Sequence, residues 1–168
     1  MKRRRGFTLL EVVVTIGLMS ITITSICLLL RSSAAMWEAF DSDHGRLEEA
    51  HHTVRHFIRG LRQADSVVSI SAATNTNGTI TLNDVDGVPI TWARVSDEIQ
   101  YTSASSAGNV LASKITELSF LGLKADGVTA TTVPDEIRSV RITVTVALDR
   151  EAGSSRTIRC AAWLREKK

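Results

Sequence analysis

Proline is almost missing from this chain: two in 168 residues, the first at Pro89. A helix that starts near the N-terminus therefore meets no enforced break before that position. Cysteine is equally scarce. Cys27 falls in an apolar run and Cys160 in a strand-like segment near the other end, so no disulfide framework organises the chain, and two free, buried thiols are expected. Aromatics are few, with four Phe, three Trp and one Tyr, which leaves no stacking platform for nucleic acid. A surplus of one charge is also lacking. The formal charge is +2, but Lys2, Arg3, Arg4 and Arg5 supply four of the cations; without them sixteen basic residues face eighteen acidic ones, a balance of −2. No nucleic-acid partner is expected.

The recognisable equipment of catalysis is missing too. There is no nucleophile elbow, no phosphate-cradling glycine loop and no paired acids in a recognisable setting. All four histidines, His44, His51, His52 and His56, crowd one helical segment. His52 and His56 have the i, i+4 spacing of a metal pair, but no third ligand stands nearby, so a solvated or partly packed helix face is the expectation. The run Asn83-Asp84-Val85-Asp86-Gly87 resembles a calcium loop in composition only. Aligning Gly87 with the loop glycine puts Leu82 at the first ligand position and Ala93 at the last, so a hairpin turn is expected. The chain is read as a non-enzyme with no catalytic residue, metal or cofactor.

What is present is a long apolar run, Phe7 to Leu30, interrupted by one charge, Glu11. As a helix it covers about 36 Å, enough to cross a hydrocarbon core of about 30 Å. The basic flank at 2–5 marks the N-terminus as cytoplasmic, which puts the remainder on the outer side of the membrane. Beyond Leu30 the helical period persists but becomes one-sided. Phe40, Leu47, Ala50, Val54, Phe57, Ile58 and Leu61 form an apolar stripe, and Asp41, Asp43, Arg46, Glu48, Glu49, Arg55, Arg59 and Arg62 occupy the other side. Gly45 is a weak spot, worth about 1 kcal/mol against alanine.

From Val67 the period falls to two. Strands are expected at 67–71, 79–83, 88–95, 98–103, 114–124, 139–149 and 156–165. Turns are expected at Asn77-Gly78, Asp86-Gly87, Ser96-Asp97, Gly108-Asn109, Asp126-Gly127 and Gly153-Ser154, since these residue types tolerate positive φ. Val140, Ile142, Val144, Val146 and Leu148 alternate with Arg141, Thr143 and Thr145, the mark of a half-buried strand. Trp92 and Trp163 are placed in or on the sheet, and Trp37 near the outer membrane interface. The expected fold class is α+β: a long N-terminal helix, membrane half and amphipathic half, packed on one or more antiparallel β-sheets.

Glu11 needs an explanation, because a carboxylate at the centre of a bilayer costs about 2.5–3.5 kcal/mol. The chain offers it no nearby cation. Cleavage after Gly6 would create one, the α-amino group of Phe7, and a neighbouring copy's amino group then neutralises Glu11 and sets the stagger between helices. The string Arg5-Gly6-Phe7-Thr8-Leu9-Leu10-Glu11-Val12 resembles the processing site of type IV prepilins and type II secretion pseudopilins. The resemblance implies cleavage at Gly6 by a prepilin peptidase, N-methylation of Phe7 and an assembly role for Glu11. It also implies partners: other pseudopilins or pilins through the helix, and an inner-membrane assembly platform. The stretches Glu98–Tyr101, Ile115–Phe120 and Val133–Ile142 are similar to the larger minor pseudopilins, the J-type subunit of a type II pseudopilus being the nearest match. Where many major pilins carry a proline in the membrane helix, this chain has Leu28, so a kink there is not expected.

The implied organisation is a cytoplasmic leader at 1–6, a transmembrane and assembly helix at 7–30, its amphipathic continuation at 31–64 and an extracytoplasmic β-rich domain at 65–168. Three alternatives remain. A minor pilin of a type IV pilus, acting in adhesion or DNA uptake, shares every N-terminal feature. An uncleaved single-span sensor leaves Glu11 unexplained. Ordinary secretory cleavage after Ser33-Ala34-Ala35 is opposed by an apolar run far longer than a signal peptide's.

Overall fold

The computed structural model describes residues 8–149 and 153–164. The chain divides into two compact units between Asp41 and Ser42. A single helix, α1, spans Leu9–Gln63 and passes through that division. Neither Gly45 nor Leu28 interrupts it, as the lack of proline requires.

In the second unit the strands form two antiparallel sheets, in keeping with their alternation. The first is a meander of β1 (Ser66–Ile70), β2 (Thr79–Asn83), β3 (Pro89–Val95), β4 (Glu98–Ser103) and β5 (Ser106–Ala112), in chain order. The second comprises β6 (Ile115–Leu123), β7 (Ser139–Ala147) and β8 (Ser155–Trp163). A short 3-10 turn at Pro134–Glu136 precedes β7. The last strand stops at Trp163, with Leu164 already outside it, short of the predicted end at Arg165, which lies outside the described residues. Backbone bonds join the sheets: the Gly78 N–H donates to Leu118 O at 2.8 Å, the Leu118 N–H to Thr76 O at 2.9 Å and the Ile115 N–H to Asp97 O at 2.8 Å. A Cβ on Gly78 would stand 2.6 Å from Leu118 O. Asn77-Gly78, expected as a plain turn, is thus a crossing of backbones that only glycine permits.

Gly108-Asn109 is also corrected. Instead of a turn it lies within β5, where Tyr101 pairs with Asn109 and Ser103 with Ser106, one residue more on β5 than on β4. Gly108, at φ +67°, absorbs that bulge. The signal that marks a turn marks a bulge equally well, because both need positive φ. The hairpin at Asp84–Gly87 forms as expected, with the Gly87 N–H bonded to Asp84 O at 2.9 Å. In the Lys124–Thr129 turn the Asp126 carboxylate accepts the Thr129 hydroxyl and the N–H groups of Val128 and Thr129. Those three donors hold its pKa down to about 2.

The core gathers on the helix stripe. Ala50, Val54, Phe57 and Leu61 are buried, and Phe57 meets both sheets: its ring centroid is 5.4 Å from Trp92 on β3 and 5.3 Å from Phe120 on β6. Trp92 lies so close to the helix that a Cβ on Gly60 would fall 2.6 Å from its ring. From β7 come Val140, Ile142, Val144 and Val146, all buried, while Arg141 faces out. Phe40, predicted in the stripe, belongs to the first unit and is 54 % exposed.

The helix's polar side also makes long-range ties. Asp43 is buried and accepts the Asp149 N–H at 2.6 Å. Arg46 reaches Asp149 at 2.5 Å, and Glu49 accepts both the N–H and the hydroxyl of Ser113 at 3.2 and 3.1 Å. The Arg46 hydrogen bond holds the Asp149 carboxyl below the usual aspartate range, and Asp149 in turn raises Arg46. Three charges of the helix's polar side are therefore ties to the sheets' ends.

Candidate functional site

Helix α1 begins with a cap. Thr8 Oγ1 accepts the Glu11 N–H at 3.3 Å, and Thr8 O accepts the N–H groups of Glu11 and Val12 at 3.1 and 3.3 Å. The pattern Thr-x-x-Glu is that of a capping box. The sequence carries this signal in the offset of Glu11 from Thr8, which the acid's position in an apolar run overshadows. Glu11 thereby has a local role in the first turn, where unpaired N–H groups favour a negative charge. Its carboxylate has no partner among the described residues, and the residue is exposed.

Every residue from 8 to 38 is exposed. Between Leu9 and Leu30, fourteen of these are large apolar side chains. Burying each is worth about 1.5–3 kcal/mol, so together they represent tens of kcal/mol against a typical fold stability of about 5–15 kcal/mol. Such a surface requires lipid or other helices around it. The segment is long and apolar enough to cross a membrane.

Four polar residues inside this segment do not spoil that property. Thr15, Thr22, Thr24 and Ser25 donate their hydroxyls to carbonyls one turn back, at 2.5, 2.5, 2.8 and 2.9 Å. In lipid this satisfies each donor without a partner molecule. Cys27 is exposed on the same helix and Cys160 half-buried in β8, both free; the expectation of two buried thiols is corrected. Trp37 is 71 % exposed, its ring edge-on to Phe40 at 6.4 Å between centroids.

Gly6 and Phe7, the predicted cleavage and methylation residues, and the leader cations Lys2, Arg3, Arg4 and Arg5 lie outside the described residues. Of the predicted assembly group, Glu11 is the member whose surroundings are visible.

The histidines do not form a common centre. His52 is exposed, whereas His56 is half-buried and its Nδ1 accepts the Trp92 indole N–H at 3.2 Å. Burial, and then the Arg59 charge, push the His56 pKa down, which keeps the ring neutral and able to accept. Among the described residues no three His, Cys, Asp or Glu side chains converge as metal ligands. A cavity of about 880 Å³ lies beside Asp65, Ser66, Pro134, Arg138 and Trp163, with neither histidine nor cysteine in its lining. Trp163 is exposed at the end of β8.

Residues 1–27 match the family model of the prokaryotic N-terminal methylation motif. No match is found among the curated proteins. The matched segment covers the basic flank, Gly6, Phe7, Glu11 and most of the apolar run, and it supports a type IV pilin-like or pseudopilin-like precursor.

Proposed function

We propose that this chain is a minor pseudopilin-like structural subunit of a type II secretion pseudopilus, with the J-type subunit as its nearest counterpart. Prepilin peptidase cleaves after Gly6, Phe7 becomes the methylated N-terminus, and the subunit sits in the inner membrane with its β-rich part outside. Lateral packing of the apolar helix then carries it into a filament. Glu11 pairs with the Phe7 amino group of a neighbour, so the cost of its charge in lipid falls on the unassembled subunit alone. The role is architectural, not enzymatic.

One observation carries this reading: the methylation motif at 1–27 coincides with a helix whose apolar residues stay uncovered throughout that segment. A minor pilin of a type IV pilus shares both features, and its distinction lies in the machinery it joins. The test is the intact mass of the protein recovered from its own membranes. A chain beginning at methylated Phe7 is expected, and Gly6→Val should leave the full-length precursor. A mature mass beginning at Met1 or Met36 would overturn the processing scheme. Given processing, Glu11→Ala should reduce incorporation at least about tenfold, the equivalent of one lost charge contact of about 1.4 kcal/mol, while the β-rich part keeps its melting temperature.

A further inference from the structure

Four strand edges bound the two sheets, and three of them are blunted. In β1 the register breaks between Val67 and Ser69, and in β5 it breaks twice. The register of β6 breaks between Ile115 and Glu117, and its backbone is bonded at Leu118 by the 76–78 segment. Bulges and cover of this kind prevent another chain from adding a strand. In β8 the nine pairs from Ser139↔Trp163 to Ala147↔Ser155 run without a break. Neither proline nor glycine occurs in it, and among the described residues nothing bonds to its outer side.

The direction of the free groups follows from the register. Leu148 N–H donates to Ser154 O at 3.0 Å and Leu164 N–H to Arg138 O at 2.9 Å. These positions flank the ladder in phase, so the even-numbered residues of β8 bond to β7. The backbone groups of Thr157, Arg159, Ala161 and Trp163 therefore point away from the sheet. On the inner face Ile158 and Cys160 touch the core but are only half-buried, so the core is unfinished along this edge.

Charge selects the occupant. β8 carries Arg156 and Arg159 and no acid, and Arg141 of β7 lies on the same outer face as Arg159. A second copy pairing antiparallel along this edge would bring arginines opposite or diagonal to one another, which destabilises. We infer that the outer edge of β8 is a strand-addition site for an extended segment of a different protein, with carboxylates facing Arg159 and apolar side chains continuing the row of Ile158 and Cys160. This stands apart from the processing and filament reading, and either can fail without the other.

The test uses the full chain in detergent micelles, with a soluble ten-residue peptide alternating glutamate and valine as probe and a lysine–valine peptide as its control. Residue-resolved hydrogen exchange is expected to slow on the order of tenfold or more at the amides of Thr157, Arg159, Ala161 and Trp163 with the glutamate peptide alone. Arg159→Pro should abolish the effect, because the N–H it removes points outward and donates to no carbonyl of β7. Should that variant not fold, Arg159→Glu serves instead and should transfer the preference to the lysine peptide. Unchanged exchange overturns the site. Equal slowing by both peptides overturns the acidic partner, and slowing that grows with protein concentration alone identifies a second copy and overturns the assigned occupant.

Discussion

Replacing Gly60 and Gly45 by alanine, separately, isolates the seating of Trp92 on the helix. Both positions are interior to α1, so each substitution gains about 1 kcal/mol in helix propensity. At Gly45 the new methyl meets nothing within 4 Å, and the whole gain should appear as stability. At Gly60 it would lie 2.6 and 2.9 Å from the Trp92 ring. That ring is 1 % exposed, stacks edge-on against Phe57 and is tied to His56 through its indole N–H, so it has nowhere to retreat. Overpacking of this sort costs about 1–3 kcal/mol. Gly60→Ala should therefore be neutral to destabilised by about 2 kcal/mol. Because propensity cancels between the two variants, their difference reports the clash alone, about 1–3 kcal/mol, or several degrees in melting temperature at about 2–8 °C per kcal/mol. The assay is thermal unfolding of the full chain in micelles, followed by near-ultraviolet circular dichroism, which registers the packed tryptophan. Equal stabilisation by both substitutions would refute the close approach of Trp92 to the helix backbone.

His56→Gln should flatten the stability profile between pH 7.5 and 5. The folded-state pKa of His56 is lowered, so the unfolded chain binds the extra proton first, and stability falls as the pH drops below about 6.5. Glutamine still accepts the indole N–H but does not titrate; melting curves at the two pH values decide, and an undiminished slope rejects the assignment. Asp43→Ala should cost about 1–2 kcal/mol, since it strips the Asp149 N–H of its charged acceptor. Chemical denaturation measures that loss, which is expected to exceed that of the exposed Glu48→Ala.

The helix and most strands were legible because their evidence is local. The 3.6-residue stripe ending in Val54, Phe57 and Leu61 and the two-residue alternation of 140–146 each lie within one short stretch. The partners of Asp43, Arg46 and Glu49 do not: they stand at Asp149 and Ser113, far along the chain, where no local pattern points to them. Gly60 was silent for the same reason, since its need for a bare backbone exists only once Trp92 arrives from β3. The strand β5 was hidden by Gly108, whose positive φ fits a turn and a bulge alike. The assembly segment divides in the same way. Its apolar length and Glu11 are visible at once, whereas the cap from Thr8 required reading the acid by its offset instead of its charge.

The hydroxyls of Thr15, Thr22, Thr24 and Ser25 are already committed to their own helix, which makes these four donors indifferent to the polarity of their medium. Moving it from lipid into a bundle of like helices neither breaks nor creates a hydrogen bond at those four sites. What distinguishes the two environments is then shape, the fit of side chains against neighbours or against acyl chains, with Glu11 left as the one group able to tell them apart by charge.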